Sequence, residues 1–166
     1  MKVTGLLRSL MAALAAFPVA AAAQQPDAIM VAGETLVATI HAQGAQVYEC
    51  KADASGALAW QFREPIATLL SNGKTLGRHY AGPTWELADG SAVAGKVAAS
   101  APGASQSDIP LLKLAAVSQT GSGMLAGINS IQRLNTKGGV AKGPCDAAGT
   151  FLSVPYSADY AFYKKS

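Results

Sequence analysis

The chain has 166 residues, half of them apolar and only 14% charged, with a formal net charge of +3. Such a composition folds around a core rather than staying disordered, and it lacks the dense basic patch that nucleic-acid binding needs. Frequent glycine and proline point to many turns, and the two cysteines allow at most one bridge.

Met1 to Ala23 reads as an export signal. Lys2 and Arg8 supply the positive start, and Leu10 to Ala23 is apolar with Pro18 as its one interruption. Ala21-Ala22-Ala23 fits the small-residue cleavage rule, and polar Gln24-Gln25-Pro26-Asp27 follows. The run is shorter than the roughly 20 residues a spanning helix needs, and no later stretch qualifies. Cleavage near Ala23 leaves one domain, 24–166, placed in the periplasm or outside the cell. The mature net charge falls to about +1 because Lys2 and Arg8 leave with the signal. An anionic membrane or nucleic acid is therefore a poor partner for the mature chain.

Strand signals dominate what remains. Leu36, Ala38 and Ile40 alternate with Val37 and Thr39 between Glu34 and His41. Gln43-Gly44 reads as a turn, and Gln46 to Cys50 as the next strand. Asp53 to Gly56 is a turn cluster before Leu58, Trp60 and Phe62, which share a phase. A short helical turn fits Pro65 to Leu70. Thr84–Ala88 and Ser91–Val97 flank Asp89-Gly90, which reads as a two-residue type I′ hairpin with Trp85 opposite Ala94 and Glu86 opposite Val93. Ile109 to Val117 and Met124 to Leu134 are further strand candidates, the second with a bulge at Gly127. At the end, Val154, Tyr156, Ala158, Tyr160 and Phe162 fall in one phase. The expected fold is all-β: an antiparallel sandwich or barrel-like domain of about eight to nine short strands with little helix.

Several segments together resemble one family. They are Val47-Tyr48-Glu49-Cys50, the run Gly77-Arg78-His79-Tyr80-Ala81-Gly82-Pro83-Thr84-Trp85-Glu86, Asp89-Gly90-Ser91, Ile131 to Gly139, Pro144-Cys145-Asp146 and Val154 to Tyr160. In these the chain is similar to small secreted bacterial and fungal proteins grouped as domain of unknown function 3455. The resemblance implies a secreted β-rich protein and names no activity. One departure stands out: where that family tends to carry Ile-Pro-Trp, this chain has Ile109-Pro110-Leu111.

Cys50 and Cys145 are expected to form one disulfide, given an even count in an exported chain. The set His41, Cys50, His79 and Cys145 lacks the close pair spacings of structural zinc, so no metal and no cofactor are expected. Gly121-Ser122-Gly123 mimics a dinucleotide fingerprint without its strand and helix, and Ser71-Asn72-Gly73-Lys74 mimics a Ser-x-x-Lys motif within a turn. The densest polar and aromatic cluster runs from His79 and Tyr80 to Trp85, Glu86 and Asp89. Those five residues, with Arg133, are the candidate ligand-binding set.

Three readings of function follow. The leading one is an exported, non-enzymatic β-domain that binds a small molecule or an envelope partner. The second is a hydrolase or metal-dependent enzyme centred on His79, Glu86 and Asp89. The third is a purely structural envelope protein.

Overall fold

A computed structural model of the chain describes residues 25–166, so the expected export signal, 1–23, lies outside the described residues. Eight strands follow one another in chain order: β1 (Glu34–Ala52), β2 (Leu58–Ser71), β3 (Lys74–Tyr80), β4 (Thr84–Leu87), β5 (Ala92–Ala101), β6 (Leu111–Thr120), β7 (Ser130–Gly138) and β8 (Phe151–Lys165). Each pairs antiparallel with its neighbours in the chain, and β8 returns to β1, where Ile40 lies opposite Tyr160. Of the two architectures the sequence left open, this is the barrel. Closure leaves no free sheet edge, which short strands otherwise expose.

Period-two patterning decides which side chains enter the barrel. From β8, Tyr156, Ala158, Tyr160 and Phe162 all face the core, as their common phase predicts. Ile40 and Ala42 enter from β1, Leu69 from β2, Trp85 and Leu87 from β4, Leu114 from β6 and Ile131 from β7. The outer wall carries pairs such as His41 with Asp159 and Arg78 with Glu86.

Four local expectations are corrected. Gln43-Gly44 is not a turn: β1 runs straight through it, paired with β2 on one side and β8 on the other. Glycine is needed there because a Cβ on residue 44 would collide with the Ile66 carbonyl oxygen as β1 bends onto β2. Pro65 to Leu70 is strand, not helix. Pro65 lies outside the β2–β3 ladder, which runs Ala67 to Ser71, and a strand tolerates a residue without N–H beside such an end. Residues 121–129 form a loop, and the strand expected from Met124 begins only at Ser130.

The fourth correction is the Asp89-Gly90 hairpin. A type I′ turn needs positive φ at both central residues, and here Gly90 alone has it (φ 83°). The Gly90 N–H donates to the Leu87 carbonyl and the Leu87 N–H to the Ser91 carbonyl, giving a three-residue loop. The register therefore moves by one: Trp85 faces Val93 and Glu86 faces Ala92. The turn that does have both positive φ values is Asn72-Gly73, between β2 and β3.

The two ends of the barrel differ. At one end the β6–β7 loop folds inward with Leu125 and Ile128 fully buried. Asp89 holds that plug: its carboxylate accepts the Ser91 N–H and hydroxyl (2.9 and 2.6 Å) and the Met124 N–H (2.8 Å). At the other end lie the β1–β2, β3–β4, β5–β6 and β7–β8 connections. There Cys50 and Cys145 form a disulfide that ties the β7–β8 loop to the end of β1. The Tyr48 hydroxyl adds a second tie by donating to the Gly139 carbonyl (2.7 Å).

Candidate functional site

A cavity of about 460 Å³ opens at the end bearing the disulfide. Eight-stranded barrels are wide enough to hold core side chains or one small ligand, and this one does both at different depths. Its walls are mainly apolar: Phe62 and Pro65 from β2, Val97 from β5, Leu112 and Leu114 from β6, with Ile109 on the β5–β6 loop. Phe62 and Val97 are more than half exposed and sit as an apolar lip.

The floor is aromatic. His79 and Trp85 are directly opposed across β3 and β4, and their rings stack at 4.5 Å with planes 8° apart. Tyr160 leans on both rings, 4.9 Å from His79 and 5.0 Å from Trp85. Phe162 meets the indole edge-on one layer deeper. The tautomer of His79 follows from its partner. The Thr84 carbonyl can only accept, so Nδ1 carries the hydrogen and donates to it (2.9 Å). Burial pushes the imidazole pKa down to about 4, with the nearby Arg133 charge acting in the same direction. At neutral pH the ring is uncharged and its Nε2 is an acceptor.

Four buried polar atoms in this region make no well-formed hydrogen bond: Gln46 Nε2, Trp85 Nε1, Tyr156 Oη and Tyr160 Oη, although Tyr156 lies beside Gln46 and Tyr160, and Tyr160 beside Arg133. Gln46, Trp85 and Tyr160 line the cavity. All four residues are at most 4% exposed. Burial raises the pKa of both tyrosines, so the phenols remain O–H donors. Buried polar groups are ordinarily paired, so this cluster offers bonding capacity to whatever occupies the cavity, water included.

Arg133 reaches the same cavity from β7, half-buried, with its Nε donating to the Pro110 carbonyl (2.9 Å). Its side chain lies beside the Tyr160 hydroxyl, and its charge also acts on Tyr48, His79 and Tyr156. The second arginine of the lining, Arg63, sits at the mouth, beside Glu64 (3.2 Å) and over the Phe151 ring.

The six candidate residues thus separate into three places. His79, Trp85 and Arg133 line the cavity. Tyr80 and Glu86 lie on the outer wall with Arg78: the guanidinium bonds Glu86 (3.0 and 3.1 Å), covers the Tyr80 ring, and the Tyr80 hydroxyl donates to Glu86 (2.8 Å). Asp89 is at the plugged end, occupied by the loop it caps. His79, Glu86 and Asp89 do not converge. Among the described residues no three His, Cys, Asp or Glu side chains group as a metal site, and both cysteines are in the disulfide.

Gln46 and Tyr160 are the polar lining residues that sequence reasoning missed, with Tyr156 buried beside them. Gln46 carries a readable signal, a polar residue in the inward phase of Ile40 and Ala42, but the presumed turn at Gln43-Gly44 broke that phase. In the Ile109-Pro110-Leu111 segment, Ile109 and Pro110 reach the mouth and Leu111 does not line it.

No curated protein and no solved structure matches this chain. A family model does, over residues 31–164, and on that match the chain belongs to the family described as Protein of unknown function (DUF3455).

Proposed function

We propose that the mature chain is an exported, non-enzymatic barrel that binds a small, largely apolar molecule in the cavity at its open end. The observation that carries this reading is a mainly apolar cavity into which the buried polar atoms of Gln46, Trp85 and Tyr160 are set without a well-formed hydrogen bond. Apolar walls supply affinity through burial, and a few fixed polar groups supply orientation. The separation of His79, Glu86 and Asp89 onto three different surfaces supports binding over catalysis, because general acid–base work needs those groups within hydrogen-bond reach of one substrate. The apolar set lies inside the barrel and ion pairs lie on its outer wall, the reverse of the pattern of a barrel that faces lipid. The disulfide fits an oxidising compartment and hence export.

An uncharged fluorescent probe, N-phenyl-1-naphthylamine, tests the reading. The purified mature chain is expected to bind it saturably at one site. Val97→Trp, which places an indole across the lip, is expected to weaken binding about tenfold or more while leaving the far end of the barrel folded. Absence of saturable binding, or unchanged affinity in Val97→Trp, contradicts it.

A further inference from the structure

We propose that the ligand of this cavity carries a carboxylate, received by Arg133 at the cavity wall, on an apolar body that fills the mouth. The inference rests on the ligand-binding reading above and assigns the chemical class of the ligand. Its basis is an imbalance of charge and of donors. The lining holds two arginines and no carboxylate. Arg63 has Glu64 beside it, whereas among the described residues no ion pair includes Arg133. Of the Arg133 donors, Nε is engaged by the Pro110 carbonyl, which fixes the plane of the guanidinium; the Tyr160 hydroxyl lies beside the side chain, and no carboxylate does. His79 brings no compensating or competing charge, being buried and neutral.

The neighbouring orphans are of the same kind. Trp85 Nε1 and Gln46 Nε2 can only donate and the Tyr160 hydroxyl can donate, against one imidazole acceptor at His79 Nε2. A region offering N–H and O–H groups around an unneutralised guanidinium matches a ligand rich in acceptors and negative in charge. A planar carboxylate meets the guanidinium fork through two parallel bonds, which a neutral hydroxyl cannot do and an ammonium opposes. The apolar walls of Phe62, Val97, Leu112 and Leu114 require the rest of the molecule to be hydrocarbon, aromatic or aliphatic.

One apolar body with three head groups provides the test: 4-phenylbutyrate, 4-phenylbutanol and 4-phenylbutylamine, titrated calorimetrically into the mature wild-type protein. The acid is expected to bind about tenfold or more tightly than the alcohol, and the amine more weakly than either. Arg133→Gln is expected to bring the acid down to the level of the alcohol, while Arg133→Lys, which keeps the charge without the fork, retains part of the preference. Equal binding of acid and alcohol by the wild type overturns the carboxylate assignment while leaving a ligand-binding cavity. So does an acid preference that survives in a folded Arg133→Gln. Failure of all three molecules to bind removes the ligand-binding reading and the inference with it. The wild-type comparison decides the matter even where an Arg133 variant fails to fold.

Discussion

His79 shows how one buried side chain sets a measurable property of the fold. Stacked on Trp85 and sealed beneath Tyr160, it gives up hydration that an imidazolium would need, and its pKa falls from the ordinary 6.5 to about 4. Because the folded value lies below the unfolded one, the unfolded chain takes up the proton first as pH drops. This residue's contribution to stability is therefore intact above about pH 6.5 and declines between 6.5 and 4, by about 3 kcal/mol in total. The carboxylates of Asp53, Asp89 and Asp108 are held below their ordinary 3.8 by hydrogen bonds, so they withdraw stability only at still lower pH. Urea unfolding between pH 7 and 4.5 should accordingly show a decline in wild type that His79→Phe lacks, since the phenyl ring keeps the stack without a titrating group. A decline of equal size in His79→Phe would contradict the account. The pair Arg78 and Glu86, by contrast, is a surface feature with Tyr80 as its third member, and such exposed pairs contribute little.

At the scale of elements, connections reinforce the ladder at the barrel's rim, where β1 stays paired with β2 as far as Ala52 opposite Leu58. The β7–β8 loop reaches the end of β1 through the Cys50–Cys145 disulfide, 95 residues apart in sequence, and through the Tyr48 bond to Gly139. A closed loop of that length restrains the unfolded chain, and losing the bridge is expected to cost about 2–5 kcal/mol. Thermal unfolding of Cys50→Ala/Cys145→Ala should show a lowered midpoint, together with weaker ligand binding because the tied loop holds Tyr48 of the cavity lining. An unchanged midpoint would show that the loop holds without its bridge. The strands themselves were largely legible from period-two alternation, most clearly in β8, where four aromatic and small residues enter the core in phase. Boundaries failed where a local signal opposed a tertiary one. Gln43-Gly44 has turn composition, but the glycine serves close approach of β1 to β2, which only the closed sheet reveals. Asp89-Gly90 has hairpin composition, but Asp89 gives its carboxylate to Ser91, two residues on, and to Met124, in a loop 35 residues on.

For the molecule as a whole, the chain order of the strands, the closed ladder and the plug at one end make a cup with an apolar lip and an aromatic floor that carries buried polar atoms. The likeness among Gly77–Glu86, Asp89–Ser91 and the closing strand made the family legible in the sequence, and the period-two pattern made the β class legible. The cup was not, because convergence of Gln46, His79, Trp85, Arg133 and Tyr160 comes from five strands. Within the dense cluster around His79, strand alternation itself divides the residues, sending His79 and Trp85 inward and Tyr80 and Glu86 outward. Indole N–H resonances test most directly whether the cup is the binding site. The chain has two tryptophans, Trp60 and Trp85, and Trp85 alone lines the cavity. In ¹⁵N-labelled protein titrated with 4-phenylbutyrate, the Trp85 indole signal should shift saturably while the amides of Asp89 and Gly121 at the plugged end stay fixed. A Trp85 signal that does not move, with shifts gathered instead at Arg78, Tyr80 and Glu86 on the outer wall, would contradict the account.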